Sequence, residues 1–232
     1  MPAIIPSSTL ILLTRNELEG VRALLKRLPR QAFDEILAID GQSMDGTADY
    51  LKAHGIKVLV QDTLGRGAAF HLAVREAAGE HLVFFSPDGN ENPDDLVPVL
   101  QKLREEHDLV IASRFYRGGR DEDYGKPFPI RRWGNLLFTW LANRCWNRGL
   151  YITDALNGFR GITKSAFRRL GLTTFQFDIE YQMTIRAMKL RLSITELPTV
   201  EASRIGGRSK AGTVEMGWEL LMVLWREWYC VS

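Results

Sequence analysis

Apolar runs at residues 10–14, 36–40, 57–61, 81–85 and 109–113 are each short and bounded by turn residues, the pattern of buried strands. Between them, residues 20–28, 47–54, 67–77 and 93–105 carry apolar positions at helical spacing. Strand–helix alternation with short turns predicts right-handed crossovers and an α/β fold, an open, twisted, mostly parallel sheet flanked by helices. Asn92-Pro93 reads as an N-cap followed by proline at the first helical position, which puts Asp94 and Asp95 in a first turn where the helix dipole favours them. After residue 113 the pattern changes. Residues 115–130 read as a loop, 131–146 as a Trp/Leu-rich helix, and the chain to about 162 as irregular. Helices follow near 164–170 and 178–190, with a strand pair near 192–203. The apolar positions of 213–229 cover more than one helical stripe. Such a helix packs in a core or against a partner, or it lies in a membrane interface with Trp218, Trp225, Trp228 and Tyr229 at headgroup level. With no repeat, low-complexity tract or linker, the chain reads as a single domain over 1–212 and a C-terminal helical extension over 213–232.

At 232 residues the chain can bury one large α/β core. The net charge of +2 argues against a nucleic-acid binder, but from Arg114 to Arg148 eight Lys/Arg face three acids, which suggests an anionic ligand. Cys145 and Cys230 lack metal or redox spacing and read as packing residues of a reduced protein. The four histidines are scattered, without metal-ligand spacing. Residues 1–12 lack a signal-peptide pattern and no run approaches the roughly 20 apolar residues of a membrane span. A cytoplasmic protein, peripheral at the cytoplasmic face of a membrane if 213–229 lies on one, is therefore expected.

Two acidic loops, AIDGQSMDGT at 38–47 and FFSPDGNENPDD at 84–95, each follow a strand. Carboxylates at the carboxyl ends of adjacent strands lie where open α/β sheets bind ligands. Asp40 can accept from a ribose hydroxyl or a base, and Ser43, Asp45, Gly46 and Thr47 form a turn and helix start, with Asp45 as readily a cap as a contact. Thr14, Arg15, Asn16 and Glu17 form the neighbouring lip. Gly65 and Gly67 permit close backbone approach at a helix start where Arg66 can meet phosphate, although Phe70 breaks a dinucleotide fingerprint. Asp88, with Asn90 and Glu91, offers oxygen ligands to a hard divalent cation such as Mg²⁺ or Mn²⁺.

Six segments in order resemble family 2 glycosyltransferases of the GT-A fold, most closely the polyprenyl- or dolichol-phosphate mannose or glucose synthase branch. They are TRNELEGV, IDGQSMDGT, GRGAAFHLAVREAAGEHLVFFSPDG, ASRFYRGG, TDALNGFRGI and SRIGGRSKAG, spread over residues 8–212. The resemblance implies a GT-A (Rossmann-like) fold, with Asn16, Glu17, Asp40 and Arg66 at the nucleotide and diphosphate. Asp88 is implied as the second acid of the metal motif. Arg114, Arg117 and Arg131 would face the acceptor phosphate, and Arg204, Ser209 and Lys210 would close over phosphates. The chain departs from the family pattern at Ser86, where the first metal-motif acid would stand, and at Gly41 and Gln42. The weakened motif leaves Asp88, Asn90 and Glu91 to hold Mg²⁺ or Mn²⁺.

The implied reaction is inverting transfer of a sugar from UDP- or GDP-sugar to a polyprenyl phosphate or a related membrane or glycan acceptor. A lipid phosphate needs cations rather than a base, whereas a hydroxyl acceptor needs a carboxylate, for which Asp154 and Glu180 are the candidates. The alternative is a catalytically weak nucleotide-sugar binding subunit acting through a membrane partner. A nucleotidyltransferase ranks below both, because TRNELEG lacks a Gly-rich, basic first loop. A homodimer is compatible with this composition.

Overall fold

In a computed structural model describing residues 7–205 and 213–229, seven strands form one sheet in the order β3-β2-β1-β4-β6-β5-β7. The first half alternates as expected: β1 (Ser8–Thr14), α1 (Leu18–Leu24), β2 (Glu35–Asp40), α2 (Thr47–Ala53), β3 (Lys57–Val60), α3 (Arg66–Glu76), β4 (His81–Phe85), α4 (Leu96–Arg104) and β5 (Leu109–Ser113). A short 3₁₀ turn, Pro93–Asp95, leads into α4, and Asn92 caps it by accepting from the Asp94 N–H. The remaining elements are α5 (Ile130–Trp146), β6 (Arg160–Thr163), α6 (Lys164–Leu170), α7 (Ile179–Lys189), β7 (Ile194–Pro198) and α8 (Thr213–Tyr229).

The second half departs from expectation in two places. Residues 160–163, read as part of an irregular segment, form β6, which runs antiparallel between β4 and β5. The expected strand pair near 192–203 is one strand, β7, parallel to β5. Beyond Pro198 only an isolated bridge between Arg120 and Val200 continues it. All other strand pairs are parallel, so the carboxyl ends of β1, β2, β3, β4, β5 and β7 share one edge of the sheet. Being reversed, β6 contributes its start, Arg160, to that same edge.

Alternation along the strands divides the core in two. Ile11, Leu13, Leu82 and Phe84 pack against α3, α5, α6, α7 and α8, whereas Leu10, Leu12, Val83 and Phe85 pack against α1, α2 and α4. Strand order reverses between β1 and β4, opening a crevice beyond their carboxyl ends.

Helix α8 packs on α5 and α7 through Leu220, Val223 and the buried carboxylate of Glu227. Glu227 accepts from Gln182 Nε2 (2.9 Å), Arg186 Nε (2.8 Å) and Lys189 Nζ (2.8 Å). Burial opposes its ionisation, but these three donors outweigh burial and hold its carboxyl below the usual value. A depressed carboxyl stabilises the fold above its unfolded value of 4.5 and loses that contribution as the pH falls through the lower folded value. Glu227→Ala should therefore cost about 3 kcal/mol in denaturant unfolding at neutral pH, because it strands two cations. The difference from wild type should shrink as the pH is taken below 4.

Candidate active site

A cavity of about 600 Å³ fills the crevice at the reversal of strand order, within the usual range for ligand pockets. Its floor is Leu13 and Thr14 of β1 with Ile39 of β2. One wall carries Gly65, Arg66, Ser86, Asp88 and Glu91. Arg114, Arg131, Glu201 and Arg204 also line it, with apolar lining from Ile130 and Phe138 of α5 and from Met216 and Leu220 of α8. Five arginines (15, 66, 114, 131, 204) and five carboxyl groups (17, 88, 91, 180, 201) line it.

Close approach builds the side of the cavity beside α3. Gly65 caps α3 with φ of 148°, and a Cβ there would lie 2.2 Å from the Phe175 carbonyl oxygen. Only glycine lets α3 dock so near the 174–177 segment. The side chain of Arg66, the first residue of α3, pairs with Glu180 of α7, reaches Ser86 Oγ at 3.4 Å and lies over the Phe70 ring. Burial opposes its charge, but Glu180 and then Glu91 outweigh that and keep the guanidinium protonated. A Cβ on Gly158 would fall 1.9 Å from Arg66 Nη2, so the 158 position must also lack a side chain.

The acid turn is held from two sides. Ser86 N–H donates to Glu91 Oε2 at 2.7 Å, and Asn90 N–H donates to Asp88 Oδ1 at 3.0 Å. Arg204 pairs with Asp88 at 3.0 Å. Residues 202–205 lie along the turn: Ala202 N–H donates to the Asn90 carbonyl, Ile205 N–H to the Asp88 carbonyl, and Asn90 Nδ2 to the Ala202 carbonyl. Burial, with the charge of Asp88 second, pushes the Glu91 carboxyl up to about 8. Among the described residues no three His, Cys, Asp or Glu side chains form a closed metal site. Asp88 and Glu91 together fit a hard cation that shares its remaining ligands with phosphate oxygens, and a cation between them would relieve their repulsion.

The other expected site residues fall into two groups. Thr14, Glu17, Gly65, Arg66, Asp88, Asn90, Glu91, Arg114, Arg131, Glu180 and Arg204 line the cavity. Asp40, Asn16, Ser43, Arg117 and Asp154 are not among its lining residues. The Asp40 carboxylate, expected to meet the nucleotide, accepts from Thr14 Oγ1, Ser43 Oγ and Ser43 N–H. Asn16 accepts from Met44 N–H and donates its own N–H to Ser43 Oγ, so these residues tie the ends of β1 and β2 together. Asp45 is a cap: it accepts from Leu18 N–H, Thr47 N–H and Thr47 Oγ1. Arg117 is exposed on a tight turn, its guanidinium over the Tyr116 ring. Ser209 and Lys210 lie outside the described residues.

Asp154 cannot be the base that a hydroxyl acceptor would need. It is fully buried and grips Arg114 in a fork, Oδ2 to Nε at 2.7 Å and Oδ1 to Nη2 at 2.9 Å. Its turn is fixed in turn by Glu196, which accepts from Thr153 N–H, Thr153 Oγ1 and Asp154 N–H. Burial alone would lower the Arg114 pKa, but Asp154 and then Glu201 outweigh it and raise it. The basic surplus of 114–148 is also spent internally in part: Arg131 pairs with Glu122, Arg132 with Asp121 and Lys126 with Asp123. Arg15, expected at the lip of the crevice, lines the cavity, whereas Gln61, Phe138, Asn157, Phe177 and Leu220 were not anticipated from the sequence. Those residues reach the crevice from distant elements, and nothing local in the chain marks them.

The family model of glycosyl transferase family 2 matches residues 9–171. Glycosyltransferase AglJ of Haloferax volcanii is 31% identical over 201 residues, covering 84% of this chain, which in turn spans 62% of that protein. The undecaprenyl-phosphate mannosyltransferase of Micrococcus luteus is 29% identical over 214 residues, covering 86% of this chain and 85% of its own. Glucosyl-3-phosphoglycerate synthase of Mycobacterium tuberculosis, solved with Mn²⁺ and UDP-glucose, superposes with a TM-score of 0.73 at 18% identity over 96% of this chain and 79% of its own. That likeness establishes the GT-A fold.

Removing one partner of a buried ion pair leaves the other charge uncompensated. Asp154→Ala should thus destabilise the protein by about 3–5 kcal/mol in urea unfolding. Asp154→Asn, which keeps an acceptor for Arg114, should cost clearly less.

Proposed function

The chain belongs to glycosyl transferase family 2, and on that premise we propose that it moves a sugar from a UDP- or GDP-sugar to a polyprenyl phosphate or a related membrane acceptor, with inversion. The observation that carries this reading is the polarity of one cavity. Its lining brings Arg66 and the start of α3 beside the acid turn, suited to a diphosphate, and adds apolar residues of α5 and α8, Ile130, Phe138, Met216 and Leu220. Asp88 and Glu91 would hold a divalent cation, which when bound neutralises charge on the leaving diphosphate. Arg66 and Arg204 place further fixed positive charge there.

On the acceptor side, Arg114 and Arg131 face the cavity as the cations that would hold a phosphate. A phosphate acceptor is already ionised at neutral pH, so the burial of Asp154 costs the reaction nothing. Among the acids that line the cavity, Glu180 pairs with Arg66 and Glu201 with Arg114, while Asp88 and Glu91 are assigned to the cation. None is left as a covalent nucleophile, which favours a single displacement. The binding-subunit alternative is not favoured, because the relatives named for an activity are transferases.

We further propose peripheral contact with a bilayer. No described helix is long and apolar enough to cross a membrane. The outward face of α8 presents Trp218, Leu221, Trp225, Trp228 and Tyr229, and that of α5 presents Trp133, Leu137 and Trp140. The same two helices contribute lining residues to the cavity, and the exposed Arg144, Arg148 and Arg226 on and next to them complement anionic headgroups.

Labelled UDP- and GDP-sugars incubated with polyprenyl phosphate and Mn²⁺ or Mg²⁺ should yield a glycosylated lipid and free nucleoside diphosphate. Nucleotide binding without turnover for every donor would reject the reading. Arg131→Ala should raise the acceptor KM by about tenfold or more, the loss expected for a charge-assisted contact, with the donor KM little changed. In vesicle flotation, wild type should rise with anionic vesicles, and a Trp218→Ser/Trp225→Ser/Trp228→Ser variant should stay at the bottom. Concentration-dependent dimerisation without flotation would assign that face to a second copy instead.

A further inference from the structure

We propose that Glu91 takes over the metal-ligand position left vacant by Ser86, so that the cation site of this chain is an Asp88/Glu91 pair rather than two acids spaced by one residue. The inference rests on the transferase reading and deepens it. At residue 86 a serine stands at the carboxyl end of β4, and its hydroxyl lies 3.4 Å from Arg66 Nη1. Ser86 therefore offers the cavity no charge.

The chain then folds back. Gly89, at φ of 92°, turns the backbone through a conformation that a residue with a side chain rarely adopts, and a Cβ there would meet Ile205 at 2.5 Å. The reversal returns the Glu91 side chain to β4, where Oε2 accepts the Ser86 N–H at 2.7 Å. The carboxylate is thus placed at residue 86, although it belongs to residue 91. It is buried, it lines the cavity, and its other oxygen accepts no hydrogen bond among the described residues. Asn90, the third oxygen-bearing residue of the turn, donates its amide nitrogen to the Ala202 carbonyl at 2.8 Å, and its oxygen is neutral, so it supplies no charge in place of the missing acid. Glu91 is the carboxylate free to serve beside Asp88, and a hard cation completed by phosphate oxygens asks for one or two such groups.

Binding of Mn²⁺ in the presence of UDP or GDP, followed by the paramagnetic resonance signal of free Mn²⁺, tests this directly. Glu91→Gln keeps a carbonyl to accept the Ser86 N–H, so the turn is preserved while the charge is lost. It should weaken Mn²⁺ by at least about tenfold, the low end of the effect of altering a metal site. Adding Ser86→Asp to Glu91→Gln should restore binding to near the wild-type value. Glu91→Asp, one methylene short of the Ser86 amide, is a second probe and should also weaken Mn²⁺. Melting curves in EDTA establish that each variant is folded. Wild-type Mn²⁺ affinity in Glu91→Gln or Glu91→Asp, or failure of Ser86→Asp to rescue, would overturn the proposal, as would absence of Mn²⁺ binding in the wild type. Calorimetric binding of UDP and GDP with Mn²⁺ present separates this from the function: absence of all nucleotide binding in the wild type rejects the transferase reading itself, whereas intact nucleotide binding with a Glu91-independent metal rejects only the present proposal.

Discussion

Charge neutrality in a desolvated cleft is the constraint from which the rest of this structure follows. A guanidinium removed from water costs several kcal/mol unless a carboxylate is placed against it. Four of the cleft's arginines are held in this way: Arg66 by Glu180, Arg114 by Asp154, Arg131 by Glu122 and Arg204 by Asp88. Three of the pairs join segments far apart in the chain, α3 to α7, the end of β5 to the turn before β6, and the 200s segment to the acid turn, while Arg131 and Glu122 lie nine residues apart. The ion pairs therefore position the walls of the cavity as well as its charges. Arg160, fully buried where β6 begins, extends the same scheme into the core by donating to the Asn157 and Glu180 carbonyls. Burial draws its pKa down to about 10, so it stays charged at neutral pH.

The same constraint explains which parts of the site could be read from the chain. Strands β1, β2, β4 and β5 were legible because each is a continuous apolar run with a turn residue at its end. The Asn92 cap was legible because its chemistry is local. The acid turn was legible for both reasons. By contrast, an acid acting as a base and an acid acting as a counter-ion look identical in sequence. Asp154 was open to either reading, and only its fork onto Arg114, forty residues away, decides between them. Asp40 escaped for a related reason, since its partners Thr14 and Ser43 flank it on two different strand ends. Strand β6 escaped because RGIT begins with a charge and a glycine. That glycine is required: a Cβ at Gly161 would lie 2.8 Å from Val99 Cγ1 on α4.

Helix α8 reconciles two readings that the sequence left open. Leu220, Val223 and Glu227 face inward, and the carboxylate among them binds two cations of α7. The aromatic residues face outward on the opposite stripe. An apolar pattern wider than one stripe is what a helix with two different neighbours needs, one of them the protein's own core.

The reversed direction of β6 has a consequence for engineering. Because one strand of seven runs the other way, the chain's second half delivers residues 154–160 to the ligand edge without a further crossover. The opposite edge is left with compact connections: 77–80 between α3 and β4, 105–108 before β5, and 190–193 before β7. There Asp108 N–H donates to the Ser193 carbonyl and Lys164 N–H to the Glu80 carbonyl, remote from every group that lines the cavity. New termini, affinity tags or a fused reporter domain belong at that rim, where cutting or lengthening the chain leaves the geometry of the cleft to the other six strands.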